Sequence, residues 1–166
     1  MASRAACEAL KEARASVDRR CGLHVHHDIN DYNAKQIANI FAIYIKLEKT
    51  IDTFVPNSRR ANNNRYCSSL FQGTTQQAIL DKLKAVNSIE DIRRIWYTRY
   101  VKVNFQSYVK YGTIEFRQHS GTIEFDKMYN WILLTQQIVN MAATPVQKIY
   151  KPENDNLQSM RNILRL

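Results

Sequence analysis

Hydrophobic and polar positions along the chain follow two periods, one near 3.6 residues and one of two, which mark helices and strands respectively. Residues 2–17 are rich in Ala, Leu, Glu, Lys and Arg and lack Pro and Gly, which predicts a helix. A short strand follows from Gly22 to Asp28. Ile37, Phe41, Tyr44, Ile45 and Ile51 then recur at helical spacing, with Ala34 and Ala38 on the same flank. Asn30 or Asp31 is placed to cap that helix and Pro56 to end it. Residues 57–75, rich in Arg, Asn, Ser and Gly, read as a long loop of the kind that often serves function. Helical pattern returns over 76–86, and Ser88 with Asp91 has capping-box spacing for a short helix toward Trp96. Residues 100–108 and 113–119 alternate, with 108–112 between them as the turn of an antiparallel hairpin. Asp126 is placed to cap a helix with Met128, Trp131, Ile132, Thr135 and Val139 on one face. Pro145 follows it, and a last short helix is expected around Met160, Ile163 and Leu164.

Successive strand side chains point to opposite faces, so the alternation assigns sides. Leu23 and Val25 oppose His24, His26 and Asp28; Val101, Val103 and Phe105 oppose Lys102, Asn104 and Gln106; Ile114 and Phe116 oppose Thr113, Glu115, Arg117 and His119. Each apolar set is expected under the helices. Parity sends His27 to the apolar side, and Trp96, Tyr97, Trp131, Cys21 and Cys67 are expected in the core. The polar sets are unusual for a plain solvent face, because two His at i, i+2 and a Glu-x-Arg-x-His run carry chemistry. A carboxylate and an imidazole on neighbouring strands can share one divalent cation: carboxylate oxygen suits Mg²⁺ or Mn²⁺, and a His admits Mn²⁺ or Zn²⁺. An Arg two residues from the carboxylate shares its face and can hold a phosphate oxygen with its planar fork. Fixed cations around phosphate are what phosphoryl transfer needs.

Charge extends that picture. The 166 residues carry 24 Lys and Arg against 15 Asp and Glu, a formal charge of +9, which favours polyanionic partners. The excess is spread through the chain, with Arg at 19, 20, 59, 60, 65, 93, 94, 99 and 117. Hydrophobic residues at 45% and charged residues at 23% describe a globular chain, and the length fits one domain spanning residues 1–166. Three cysteines without C-x-x-C spacing argue against a disulfide framework or a Cys-rich zinc site. No apolar signal core and no apolar run of roughly 18 residues is present. The expectation is a soluble, cytoplasmic protein with no membrane partner.

The same residues carry a family resemblance. Cys21-Gly22-Leu23-His24-Val25-His26 resembles the CGxHVH strand of the amidoligase family, and the run from Thr113 to Thr122 resembles its TIEFRxxxGT strand. Arg59-Arg60 with Asn64, Tyr66 and Cys67 is similar to the family's R-x-N-x-YC loop, and Arg99-Tyr100 with Lys102, Val103 and Asn104 to its R-Y-x-K-x-N strand. The likeness covers about residues 17–141. It places the chain with the glutamine synthetase and glutamate–cysteine ligase superfamily. The implied fold is α+β: a curved antiparallel β-sheet, an incomplete glutamine synthetase-like half-barrel, with helices on its outer face. The implied activity is ATP-dependent amide or isopeptide formation through an acyl phosphate. By position, His24 and Glu115 would be metal ligands for Mg²⁺ or Mn²⁺, and His26 and Arg117 would contact ATP phosphates. Arg59 and Arg99 would orient phosphate, and Asn104, Lys102 and Arg60 the carboxylate substrate. Arg117, Glu115 and His119 form the catalytic set.

One departure bears on turnover. The family pattern begins with a Glu-x-Glu strand supplying further metal ligands, and no Glu-x-Glu exists in this sequence. The expectations are therefore a missing N-terminal segment, a partner chain or homo-oligomer completing the site, or a non-catalytic remnant acting in an assembly. The charge and the interleaved Arg and Tyr leave a nucleic-acid-binding reading beside these, although no helix-turn-helix or RNA-recognition signature is visible.

Overall fold

The computed structural model describes residues 2–144 and 156–165. The elements in order are α1 (Ala2–Glu12), β1 (Val25–Asp28), α2 (Ala34–Asp52), α3 (Gln76–Lys84), α4 (Ile89–Ile95), β2 (Val103–Asn104), α5 (Gln106–Tyr111), β3 (Thr113–Phe116), α6 (Phe125–Ala143) and α7 (Leu157–Leu164), with a 3₁₀ turn at Asn57–Arg59. The fold is α+β, with one small, open, antiparallel sheet in the order β1-β3-β2. Among the described residues no helix is long and apolar enough to cross a membrane.

The centre of the molecule is α2. Asn33 caps it through a capping box with Gln36, satisfying two of the amide donors a helix start leaves open. Asn30, an expected cap, instead packs against Gly112 and hydrogen-bonds Asp28. From Ile37 to Ile51 the helix is buried on almost every side, by α6 and α7 on one flank, α3 and α4 on another, and the sheet beneath. Each fully buried Ile or Leu there contributes about 1.5–3 kcal/mol of transfer free energy. The helix stops at Asp52, with Thr53 as its C-cap, before Pro56 is reached. Ser88 and Asp91 form the expected capping box at the start of α4.

The sheet lays its apolar face on these helices. Val25, Phe116 and Val103 form one cross-strand row, all buried. Phe116 meets the ring of Tyr44, with centroids 5.7 Å apart, and Phe105 meets Phe41 at 6.0 Å. His27 sits on this side as parity predicts, hydrogen-bonded to Thr135 of α6 at 2.8 Å.

Several expectations are corrected. The tight hairpin turn at 108–112 is instead α5, a helix inserted between β2 and β3. The Asn104 side-chain oxygen accepts from Gln106 N (2.8 Å), and Ser107 Oγ donates to the Thr113 carbonyl (2.7 Å), closing the connection. Gly112 ends the helix at φ 65°, a left-handed position where Gly is favoured. The first helix ends at Glu12 rather than residue 17. Tyr97 is 83% exposed and Cys21 is exposed, so neither belongs to the core. Asp126 lies in the first turn of α6 and is not its cap, which is Glu124 without a side-chain bond. Pro145 lies outside the described residues.

Candidate functional site

The polar face of the sheet is one register row with flanking side chains. His26 of β1, Glu115 of β3 and Asn104 of β2 are direct cross-strand partners, with Glu115 in the central strand. His24, one residue before β1, and Arg117, one after β3, complete the group. Glu115 Oε1 lies 2.7 Å from His24 Nδ1 and 2.8 Å from an Arg117 terminal nitrogen; Glu115 Oε2 accepts from Asn104 Nδ2 at 2.6 Å. His26 Nε2 stands 3.7 Å from Oε1, while its Nδ1 pairs with Thr113 Oγ1 at 2.8 Å. The short His24 contact assigns the Nδ1 proton to Glu115, so the 3.5 Å approach of Arg117 to that nitrogen is proximity only.

Glu115 is 8% exposed. Burial alone would raise its pKa, but hydrogen bonds from His24 and Asn104 and the Arg117 charge outweigh it and hold the carboxyl at about 2. Glu115 is thus an acceptor across the ordinary pH range rather than a proton source.

Two cavities open on either side of this group and share His24 and Arg117. One, of about 480 Å³, is lined by Arg19, Arg20, Arg59, Arg65 and Arg117, with Tyr66, Asn63 and Asn64, and has no carboxylate in its wall. Arg20 is itself paired with Asp18 at 2.6 Å. Arg59 is 4% exposed and donates to the Cys21 carbonyl at 2.5 Å. The Nε atoms of both Arg59 and Arg117 are buried without a hydrogen-bond partner, a condition native structures rarely leave uncompensated. An oxyanion would satisfy them, and a phosphate or carboxylate matches the guanidinium fork. The other cavity, of about 510 Å³, is lined by Glu115, His26, Asn104, Arg99 and Lys110, with Gln106, Ser107 and Tyr111 from α5 and its approach.

Close backbone contacts shape the first cavity. A Cβ on Gly22 would lie 3.0 Å from His24 Nε2 and 3.3 Å from both terminal nitrogens of Arg59. A Cβ on Gly121 would lie 2.5 Å from the Cys21 Cβ, and Gly121 N donates to Cys21 O at 2.8 Å. The two glycines let the strand before β1 and the chain after β3 close on the Arg59 loop.

The other expected residues are placed differently. Lys102, expected on the open face beside Asn104, is wholly buried on the opposite side, 2.9 Å from Glu48 and 2.7 Å from Asp52 of α2. It precedes β2, where a bridge between Ser68 and Val101 breaks the alternation. His119 lies beyond the end of β3, its ring tilted against Trp131 with its Nδ1 on the Ser120 carbonyl (2.7 Å), and it lines neither cavity. Burial lowers its pKa, offset in part by the bond to Ser120 O. Arg60 is exposed, its Nε bound to the Val55 carbonyl, outside both cavities. Arg99 is in the second cavity with Asn104, and Arg59 is in the first with Arg117. Arg19, Arg20, Arg65 and Lys110 escaped the sequence reading. The first three stood out only as scattered charge, and Lys110 was hidden in the misassigned turn.

The residues present do not make a resident metal site. Among the described residues no group of three or more His, Cys, Asp or Glu is arranged to hold a cation. Glu115 is the only carboxylate in the walls of either cavity, and both its oxygens are engaged, one of them by the cationic Arg117. A hard divalent ion takes several oxygen ligands.

A family model described as "Putative amidoligase enzyme" matches residues 2–139. No curated protein and no solved structure matches the chain.

Proposed function

The chain belongs to the amidoligase family, and from that premise we propose that it is an ATP-dependent ligase that joins a carboxylate to an amine. One observation carries this reading: an arginine-lined cavity with two orphaned guanidinium Nε atoms adjoins a cavity holding Glu115, and the two share Arg117 and His24. In this reading Arg59 and Arg117, with Arg19, bind the nucleotide phosphates. Arg99, Lys110 and Asn104 orient the carboxylate substrate in the second cavity. Arg117 stands between the two, where it stabilises negative charge on oxygens in transfer. The carboxylate oxygen forms a bond to the terminal phosphorus as the bond to ADP breaks, and ADP leaves with that electron pair. The amine nitrogen then attacks the acyl carbon, phosphate leaves with the C–O pair, and the amine proton passes to phosphate or to His26. Glu115 and Asn104 are positioning residues, holding Arg117 and His24 in place. The curved half-barrel of the family belongs to this proposal too, as does Mg²⁺, which would arrive with the nucleotide. The described residues offer that ion no ligand cluster of their own.

Calorimetric titration with ATP at low salt tests the reading. ATP should bind, Arg117→Ala and Arg59→Ala should each abolish most of the affinity, and an absence of ATP binding by the wild type refutes the proposal. The saturated state of Glu115 favours a second reading, a nucleotide-binding protein without turnover. Binding without phosphate release under any carboxylate–amine pair tried would select it.

A further inference from the structure

Two Arg-Tyr dipeptides, far apart in sequence, meet on the rim between the cavities. Ser68 N donates to the Tyr100 carbonyl (2.9 Å) and Lys102 N to the Ser68 carbonyl (3.0 Å), which draws residues 65–68 alongside 99–102. The rings of Tyr66 and Tyr100 consequently touch edge to face, with centroids 5.4 Å apart. Arg65 lies over the Tyr66 ring at 4.7 Å and Arg99 over Tyr100 at 5.2 Å. Tyr66 is nevertheless 47% exposed and Tyr100 38%, large aromatic surface left to solvent beside two cations. Tyr66 and Arg65 line the same cavity as Arg59 and Arg117.

We propose that this cationic–aromatic rim is a stacking subsite for a planar ring covalently joined to the anion held by Arg59 and Arg117, that is, the base of a nucleotide. The inference rests on the nucleotide reading above and adds the residues that distinguish a nucleotide from bare polyphosphate. A flat ring with a polyanionic tail is the ligand class that matches orphaned guanidinium nitrogens and exposed tyrosine in one cavity. Aromatic faces stack bases with little sequence preference, and Arg adds a cation–π contribution. A nucleic-acid strand is the competing ligand with the same two chemistries.

The experiment compares ATP with inorganic tripolyphosphate by calorimetry on the full chain, in wild type, Tyr66→Phe and Tyr66→Ala. The wild type should bind ATP the more tightly. Tyr66→Ala should weaken ATP about tenfold, within the range that base stacking supplies, and leave tripolyphosphate unchanged, while Tyr66→Phe keeps wild-type affinity for both. Equal wild-type affinities for the two ligands overturn the inference without touching the phosphate reading, and this arm needs no variant to fold. Equal weakening of both ligands by Tyr66→Ala also overturns it, and so does a loss confined to an oligothymidylate probe. If the wild type binds neither ligand, both readings fall.

Discussion

Replacing Glu115 by Gln removes the single negative charge at the centre of the polar face, and the structure gives the expected size of the effect. The carboxyl is depressed from its ordinary 4.5 to about 2. At about 1.36 kcal/mol per unit, that difference stabilises the folded state by about 3 kcal/mol at pH 7. The group's folded pKa is lowered, so its contribution is complete above 4.5 and disappears as pH falls through 2. The same linkage leaves about 1.4 kcal/mol at pH 3 and only a few tenths at pH 2. Burial supports using the figure nearly whole: Glu115 is 8% exposed and Arg117 12%. His24 is 38% exposed, and water screens that contact, so about 2–3 kcal/mol is the expected loss at pH 7. Arg117 would also lose its partner, and breaking a buried ion pair is costly because the remaining charge is left uncompensated. Urea denaturation of wild type and Glu115→Gln at pH 7 and pH 3 measures the difference. It should narrow by more than half on acidification. A variant as stable as wild type at pH 7, or a gap that does not change with pH, refutes the assignment of Glu115 as an ionised, paired carboxylate.

Lys102→Met should destabilise by about 3–5 kcal/mol, the usual cost of stripping one partner from a buried ion cluster, because Glu48 and Asp52 would face each other without their cation; a thermal melt reads this directly. Gly121→Ala should cost about 1–3 kcal/mol by overpacking against the Cys21 Cβ, and should weaken ATP binding in step with the displaced cavity wall, measured by denaturation and calorimetry together. Burial lowers the His27 pKa, with the Gln136 side chain opposing and the His26 charge adding to the fall. The unfolded chain therefore takes up the proton first as pH drops below 6.5, stability falls with it, and His27→Gln should flatten the slope of stability against pH in that range.

The polar face was legible because period two fixes which side a strand residue takes. His26, Glu115 and Asn104 fell on one side and Val25, Phe116 and Val103 on the other, and the register joins each set into a row. Parity holds only while the strand lasts. β3 ends at Phe116, and beyond it His119 leaves the polar face for Trp131, although Gln118 still turns inward as its parity requires. Lys102 precedes β2 and fails for the same reason at the other end. The α5 insertion was not readable from alternation, since its start depends on Asn104 accepting from Gln106 N and on Ser107 bridging to Thr113, contacts that exist only once β3 is in place. Local signals survived where no tertiary partner was needed, as in the Ser88–Asp91 capping box. The cavity arginines at 19, 20 and 65 had no periodic element to assign them a side.

The two ion systems on either side of β3 meet at the 59–70 loop, and the core-side one is built around a buried lysine that touches neither cavity. On the core side, Asp52 accepts from Lys102 (2.7 Å) and Gln118 (2.5 Å) through one oxygen and from Ala61 N (2.9 Å) through the other, while Glu48 accepts from Lys102 and from Leu70 N at 3.2 Å. Tyr44 donates to the Gln118 side-chain oxygen, and Gln118 Nε2 also donates to the Arg59 carbonyl at 3.1 Å. Every carboxylate oxygen of Glu48 and Asp52 is therefore committed, two of them to backbone amides of the 59–70 loop, and Gln118 holds a third backbone group of that loop, the Arg59 carbonyl. Ala61, held in a left-handed conformation at φ 44°, is one of them. That loop carries Arg59 into the first cavity and Tyr66 onto its rim. Buried networks of this kind are costly when broken and stiff when complete, so the charges under the sheet set where the guanidinium and the aromatic ring stand above it. On the open face only Glu115 is shared among His24, Arg117 and Asn104, and two of these three stay partly accessible to solvent. The rigid system fixes the loop, while the more accessible one holds Arg117 by Glu115 alone and leaves its buried Nε unpaired.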